Sequence, residues 1–487
     1  MTSTLLWGLG TALSSISLVF LPTTRASESI PGTNGAEVYL PGSEGFAQAN
    51  ARWSAVDAPS FDTIVKVKNE AHVQAIIKYA NTINKPFLTI SGGHGQHSAL
   101  GNLENGIGIW LRGINHIDIV DNGTAALIGG GVLNGDLIPT LWNQGKQTTT
   151  TGCDCVGYVA PVLGGGHGWL QGRYGLATDQ LLSARMVLAN GSAITVSDQK
   201  NEDLFWAIRG AGHNFGVVTE IKVKIYDVGE EQKQWAVSGF TFEQEKLESV
   251  FAVANTWLES KDRPKEMVHF GLFGFNYELD PKKPLVSVWV YWQGPAIPSV
   301  YTDPLYALNP LAVDSSVTNL QDVNQHMRAS KDGVTCAKGY SRLFYPVSLF
   351  SWSLPNLRAA LDIFSSMPPA YNSSVVLLEA YSTNLVHEIP SKSTAYPDRE
   401  SEILASPMLT YAADPSLDEE ALEFGEKMRN ALLVGTGLKL NAYVNYARGD
   451  ESVEAVYGYE NWRLDKLRGL KQAYDPEGRF SFYAPIE

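Results

Sequence analysis

Thr151-Gly-Cys153-Asp-Cys155-Val-Gly157 is followed at once by Leu163-Gly-Gly-Gly-His167-Gly168 and Gly172-Arg-Tyr-Gly175. Eight glycines fall between residues 152 and 175: Gly152, Gly157, Gly164, Gly165, Gly166, Gly168, Gly172 and Gly175. Such density calls for backbone at positive φ, or for backbone held against a bound group with no room for a Cβ. A second glycine loop, Ser91-Gly92-Gly93-His94-Gly95, stands upstream. Backbone N–H groups in loops of this kind can cradle a pyrophosphate without a Rossmann helix. His94 and Cys153 add two nucleophiles to the pair of loops. Taken singly, each motif reads better as a tight turn or a buried cysteine.

The surroundings give the loops their setting. Residues 61–67 read as a strand, and Val73, Ile76, Ile77 and Ala80 have helical spacing. Pro86 closes that helix and Phe87-Leu-Thr-Ile90 reads as a strand leading into the Ser91 loop. Strand, helix, strand and glycine loop make a compact α/β unit. Residues 181–188 and 192–196 flank Asn190-Gly191 as a β-hairpin, and 134–144 and 203–208 read as helices. Beyond about residue 228 the texture changes. Strands are expected at 236–242, 269–277, 285–292 and 375–381, and helices at 243–261, 354–367 and 417–433. That alternation describes an α+β unit whose sheet faces a pocket.

Composition excludes several classes. The 487 residues are 44% hydrophobic and 18% charged, the balance of a folded globular chain. Lys plus Arg number 37 against 51 Asp plus Glu, a formal charge of −14. With no basic block, nucleic acid is not an expected partner. Three cysteines, 153, 155 and 336, rule out a disulfide-rich scaffold and a four-cysteine zinc site. His94-Gly-Gln-His97 lacks an obvious third ligand, so no metal is expected. Gly210-Ala-Gly212-His-Asn-Phe-Gly216 has the wrong last spacing for a dinucleotide fingerprint and follows a helix. No G-x-S-x-G elbow, P-loop or H-E-x-x-H is present.

Residues 5–21 are apolar and end in Pro22-Thr-Thr-Arg-Ala26-Ser27, the pattern of a secretory signal peptide cleaved after about Ala26. No later charge-free run is long enough for a stable membrane span. A secreted or lumenal chain is therefore expected. Asn122-Gly-Thr124, Asn190-Gly-Ser192 and Asn372-Ser-Ser374 are candidate glycosylation sites there.

Taken together, the motifs closely resemble the berberine-bridge-enzyme-like branch of the vanillyl-alcohol-oxidase flavoproteins, with a p-cresol-methylhydroxylase-type FAD domain. The resemblance covers nearly the whole mature chain. It includes residues 203–219, Tyr443-Val-Asn-Tyr446 and Asn461-Trp-Arg-Leu464 to Asp475-Pro476. The texture is most similar to fungal members, many of them in secondary-metabolite pathways. The fold the resemblance implies is α+β: an FAD domain of two α/β subdomains plus a substrate domain with an antiparallel sheet. The expected division is a leader at 1–26, the FAD domain at 27–228 (core about 57–228), the substrate domain at 229–437, and a berberine-bridge-like segment at 438–487 that completes the FAD domain.

The family's roles then fall on particular residues. His94 matches the position bonded to the flavin 8α-methyl and Cys153 the one bonded to flavin C6, so bicovalent FAD is expected. Ser91, Gly92, Gly93 and Gly95 match the pyrophosphate loop. Gly157 and Val218 match positions lining the isoalloxazine and adenine sides, Val156 the oxygen-access position, and Tyr443 and Asn445 the returning tail. Tyr446 matches the catalytic tyrosine. A phenol ordinarily titrates near ~10, so a basic role needs neighbours that depress its pKa; Arg448, two residues on, is the sequence-near candidate. Cys155 has no matching role; a buried thiol and a disulfide with Cys336 are both compatible with the sequence. Ile90 and Pro161 replace an Arg and a His of plant members, leaving open which group faces flavin N1.

The implied activity is that of a secreted FAD-dependent oxidase. It would pass a hydride from a small organic metabolite to the flavin and then to O2, giving hydrogen peroxide, and act as a monomer. The runner-up is an oligosaccharide oxidase acting on a reducing-end hydroxyl. A third reading is a secreted flavin-binding protein without turnover.

Overall fold

The computed structural model describes residues 30–260 and 263–486. The expected leader at 1–26 lies outside the described residues. Helix Glu70–Thr82 starts where the Asn69 side chain accepts from the His72 N–H at 3.0 Å. It buries Val73, Ile76, Ile77 and Ala80. Strands Phe61–Lys66 and Phe87–Ile90, on either side of the helix in sequence, both run parallel to Gly106–Trp110, which lies between them. The Ser91 loop therefore leaves the carboxyl end of a parallel strand, the usual place for ligands in an open α/β sheet.

A second, antiparallel sheet has the order Ile117–Val120, Ala125–Gly129, Val217–Lys224, Leu181–Val187, Ala193–Ser197. Its last pair is the hairpin expected around Asn190-Gly191. The glycine-rich 148–175 segment forms no long element. It carries only the short helices Val159–Leu163 and Gln171–Tyr174.

The third sheet is larger than expected. Ala312–Thr318, Trp235–Glu243, Leu285–Gln293, Met267–Gly274, Val375–Ala380, Ile403–Ala412 and Tyr340–Phe344 pair in that order, all antiparallel, and Val347–Leu349 also pairs with Ile403–Ala412. Ile403–Ala412 escaped the sequence reading because it contains Pro407 and little period-2 alternation. Helices Leu247–Leu258, Leu354–Ser365 and Asp418–Leu433 cover one face. Phe251, Phe273, Val288, Leu361 and Met428 form part of the core between them. Each such side chain contributes about 1.5–3 kcal/mol when fully buried.

The tail closes the molecule. Arg463 of helix Asn461–Tyr474 is fully buried and donates to the carbonyls of Ser391, Thr394 and Ala395. Lys471 donates to Asn214 O at 3.0 Å, and the Asn214 side chain donates to Ala484 O at 3.0 Å. Residues 443–447 form a turn in which Tyr446 N and Ala447 N both donate to Tyr443 O at 2.8 Å. The architecture is α+β. No described helix is long and apolar enough to cross a membrane.

Candidate active site

A cavity of about 1200 Å³ lies between the glycine loops, the uncovered face of the third sheet and the 443–446 turn. Ser91, Gly92, Gly93, His94, Gly95, Cys153, Val156, Gly157, Val218, Tyr443, Asn445 and Tyr446, chosen from the sequence alone, all line it. Asn372 also reaches its wall, while Asn122 and Asn190 stand on exposed turns elsewhere.

The two glycine loops pack backbone against backbone. A Cβ on Gly92 would come within 2.6 Å of the Cys155 carbonyl and 3.0 Å of Gly157 N. Gly166, at φ 84, turns its N–H onto the Tyr443 hydroxyl at 3.0 Å, and the next N–H, of His167, reaches the same oxygen at 3.3 Å. Ser91 Oγ and His94 Nδ1 are buried without hydrogen-bond partners. Buried polar atoms of this kind ordinarily have partners, and their absence here marks a place made for a bound polar group.

Burial, reinforced by the nearby cations Lys338, Arg52 and Arg342, lowers the His94 pKa to about 3. The ring is neutral at ordinary pH and its nitrogen lone pair is free to attack. Trp53 stacks on it, ring centroids 5.6 Å apart. Cys153 is different. Burial pushes its thiol up to about 11, so it keeps its proton. Cys155 and Cys336 form a disulfide, and the Cys153 sulfur lies 3.4 Å from one of its sulfurs and 3.7 Å from the other. Ligand atoms of His94, Cys153 and Cys155 lie within 4.8 Å of one another, but the Cys155 sulfur is committed to the disulfide.

The sequence reading missed the acid at the centre of the site. Glu379 sits in the strand Val375–Ala380 and is buried, with its side chain on the cavity. Burial raises its pKa to about 7, partly offset by the Tyr381 and Tyr446 hydroxyls. Tyr381 donates to one carboxylate oxygen at 3.0 Å, and the other has no partner. The available signal was a lone carboxylate in the otherwise apolar run Val375-Val-Leu-Leu-Glu-Ala-Tyr381.

Tyr446 lies against Phe344 with nearly parallel rings, centroids 4.3 Å apart. Burial and the Glu379 charge push its pKa well up. That direction is opposite to the one a basic role requires. Arg448 does not assist it: the chain turns between them, and the guanidinium pairs with Asp57 at 3.4 Å. His167, also unassigned from sequence, bridges Gln171 at 3.0 Å and the Tyr396 hydroxyl at 2.9 Å.

Comparison with known proteins identifies the chemistry. Residues 61–197 match the domain family described as FAD binding domain, and residues 442–487 match the one described as Berberine and berberine like. The chain is 37% identical to FAD-linked oxidoreductase chyH of Penicillium rubens, over 93% of this chain and 91% of that protein. It is 39% identical to FAD-linked oxidoreductase chry5 of Gibberella zeae, over 93% and 92%. The chain belongs to the berberine-bridge-like FAD-linked oxidoreductases. The fold agrees. Physcomitrella patens BBE-like 1 superposes with a TM-score of 0.80 at 21% identity, covering 93% of this chain and 97% of that one. The 6-hydroxy-D-nicotine oxidase of Arthrobacter nicotinovorans does so with 0.76 at 25% identity, over 94% and 98%.

For this FAD-linked oxidoreductase the two matched segments supply the side of the cavity opposite the third sheet. The Ser91 and 152–157 loops supply the glycine backbone, and the tail supplies Tyr443, Asn445 and Tyr446. The Asn445 side chain donates to the Pro161 carbonyl at 3.1 Å and to the Tyr443 hydroxyl at 2.6 Å. The tail is thereby fixed to the residues that precede Gly164.

Proposed function

We propose that this enzyme is a secreted oxidase of a small organic metabolite in fungal secondary metabolism, with FAD attached through His94 and Cys153. The observation that carries the reading is Glu379. A buried carboxyl raised to about 7, with one oxygen free, faces the same cavity as the two attachment side chains. Such a group matches the needs of a general base near neutral pH.

Bound FAD supplies the two-electron acceptor, and O2 then receives the electrons and leaves as hydrogen peroxide. Glu379 takes the proton of the substrate hydroxyl on its free oxygen as the carbon gives up its hydride. Tyr381 holds the carboxylate in place through its other oxygen. Tyr446, which keeps its proton, orients the substrate oxygen as a hydrogen-bond donor. Val156 borders the cavity at the oxygen-access position. The neutral His94 suits attachment as it stands, whereas Cys153 must first lose its proton. Glucooligosaccharide oxidase from Acremonium strictum, which shares the fold, is described with a 6-S-cysteinyl, 8α-N1-histidyl FAD.

The cavity wall favours a metabolite over a sugar. Leu272, Leu377, Met408 and Val375 face it half-buried, and Thr241 and Ser287 on the same face bond to each other at 3.1 Å. Among the described residues, one Glu379 oxygen and the Thr410 hydroxyl are the buried, unpartnered side-chain atoms on the strands that wall it, few anchors for the many hydroxyls of a sugar. The same small-metabolite reading holds for a monomer and for a glycosylated chain at Asn122, Asn190 and Asn372.

The test begins with acid denaturation. Yellow colour stays with the precipitated protein if FAD is covalent; free flavin in the supernatant overturns the attachment. Anaerobic mixing with candidate alcohols must then bleach the flavin and, on admitting air, release peroxide. Bleaching by cello-oligosaccharides but by no apolar alcohol would return the assignment to a sugar oxidase.

A further inference from the structure

The segment 323–337 crosses from the third sheet to the cysteine loop. Asp154 N donates to Ala329 O at 2.9 Å, and the Asn324 side chain donates to Asp154 at 2.7 Å. Trp53, the residue stacked on His94, donates its indole N–H to Thr335 O at 2.7 Å. Arg342 donates to Trp53 O at 2.7 Å and to Ala337 O at 2.6 Å. Cys336, near the end of this strap, is bonded to Cys155. The strap thus touches the immediate neighbours of both attachment side chains.

Three cysteine sulfurs share this spot, so one of them must be left over. Cys153 and Cys155 are one residue apart, with sulfurs at 3.4 Å. Two thiols held this close pair readily, because their encounter is intramolecular. We propose that Cys336 is a positioning residue for flavin attachment: by occupying Cys155 in a disulfide, it keeps Cys153 as the thiol that can bond the cofactor. This rests on Cys153 being an attachment point. Without the Cys336 sulfur, Cys153 and Cys155 are free to join to each other, losing two protons and two electrons to a disulfide oxidant such as glutathione disulfide, which leaves as two glutathione thiols. Within the intact trio the competing reaction is exchange. The Cys153 thiolate attacks Cys155, the Cys153–Cys155 bond forms, the Cys155–Cys336 bond breaks, and Cys336 leaves as the thiolate. That exchange consumes no oxidant and also removes the attachment thiol. The buried, protonated state of Cys153 slows it.

The experiment compares holoenzymes produced as C336S and as the double variant C155S/C336S, each treated with glutathione disulfide. Peptide mass then reports which sulfur bears flavin and which pairs are bridged. In C336S, the flavin is expected on His94 alone, with a Cys153–Cys155 bridge two hydrogens lighter than the dithiol. In C155S/C336S, where Cys153 has no partner, the Cys153–flavin peptide is expected to return. Flavin on Cys153 in C336S, or its absence from both variants, overturns the inference; the second result would make the disulfide a staple only. Where C336S gives no soluble protein, C336A takes its place and is read by the same peptides. Wild-type enzyme with no flavin on Cys153 sinks the attachment reading instead, and a Cys153 left as a free thiol in C336S sinks this one.

Discussion

The glycine loops and the sheet face opposite them build one cavity by contrasting means. On the loop side the backbone does the work: Gly92 admits no Cβ, Gly166 turns two N–H groups onto one oxygen, and the orphan atoms Ser91 Oγ and His94 Nδ1 wait for a bound group. On the sheet side the strands are regular and the side chains alone decide. One carboxyl, Glu379, is buried beside the Tyr381 and Tyr446 hydroxyls, and burial sets its raised pKa. The loop side is shaped by its backbone, the sheet side by its side chains.

The contrast breaks most sharply at Gly92. Gly92→Val places carbon where the Cys155 carbonyl stands. Flavin content should fall nearly to zero while far-ultraviolet circular dichroism is unchanged; normal flavin content would remove the loop from the binding account. Glu379→Gln should do the reverse, leaving flavin content intact and slowing anaerobic flavin reduction by about 10²–10⁴-fold, the usual span for a lost general base. In the wild type that rate should rise with pH through about 7, as the Glu379 carboxyl loses its proton, and the variant should lose this limb. A flat profile in the wild type would take the base role from Glu379.

Tyr446→Phe removes a donor to a developing oxyanion, an effect of about 1.5–3 kcal/mol, or roughly ten- to a hundred-fold in reduction rate. A loss as large as that of Glu379→Gln would restore the tyrosine as base. Val156→Leu should slow only the reaction of reduced enzyme with O2, by several-fold, and spare reduction; equal slowing of both half-reactions contradicts the oxygen-access reading. The smallest expected effect is on stability. Burial lowers the pKa of His97 and His213 to about 4 each, so in the unfolded chain they take up protons first as pH falls. The melting temperature should drop as pH falls from about 6.5 towards 4, and His97→Gln should soften that drop. A melting temperature constant over that range would contradict the buried, neutral histidines.

Much of the loop side was legible in the sequence. His94, Cys153, Gly157 and the 443–446 segment were assigned to one cofactor by their resemblance to the berberine-bridge-like family, whose motifs are short and contiguous, and all of them line one cavity. Glu379 was not legible as a base, since its strand reads as ordinary core. Its role depends on which face of the sheet was left uncovered by the helices Leu247–Leu258, Leu354–Ser365 and Asp418–Leu433. Arg448 shows the converse error. Adjacency to Tyr446 along the chain suggested help, but the turn sends the guanidinium to Asp57.

Three sulfurs make the same division. From sequence, Cys153 stood out by matching the family's Cys-x-x-Val-Gly spacing, and Cys155 and Cys336 remained without a settled state. A pairing across a sequence separation of 181 residues exists only because the strap returns to the cofactor loop. The sequence by itself determined the family and the presence of an FAD-binding domain, because the motifs that carry them are contiguous residues with special backbone demands. The tertiary structure alone decided that Glu379 is buried on the cavity, which strands wall it and which sulfur partners Cys155, because burial and proximity arise only when distant segments pack together.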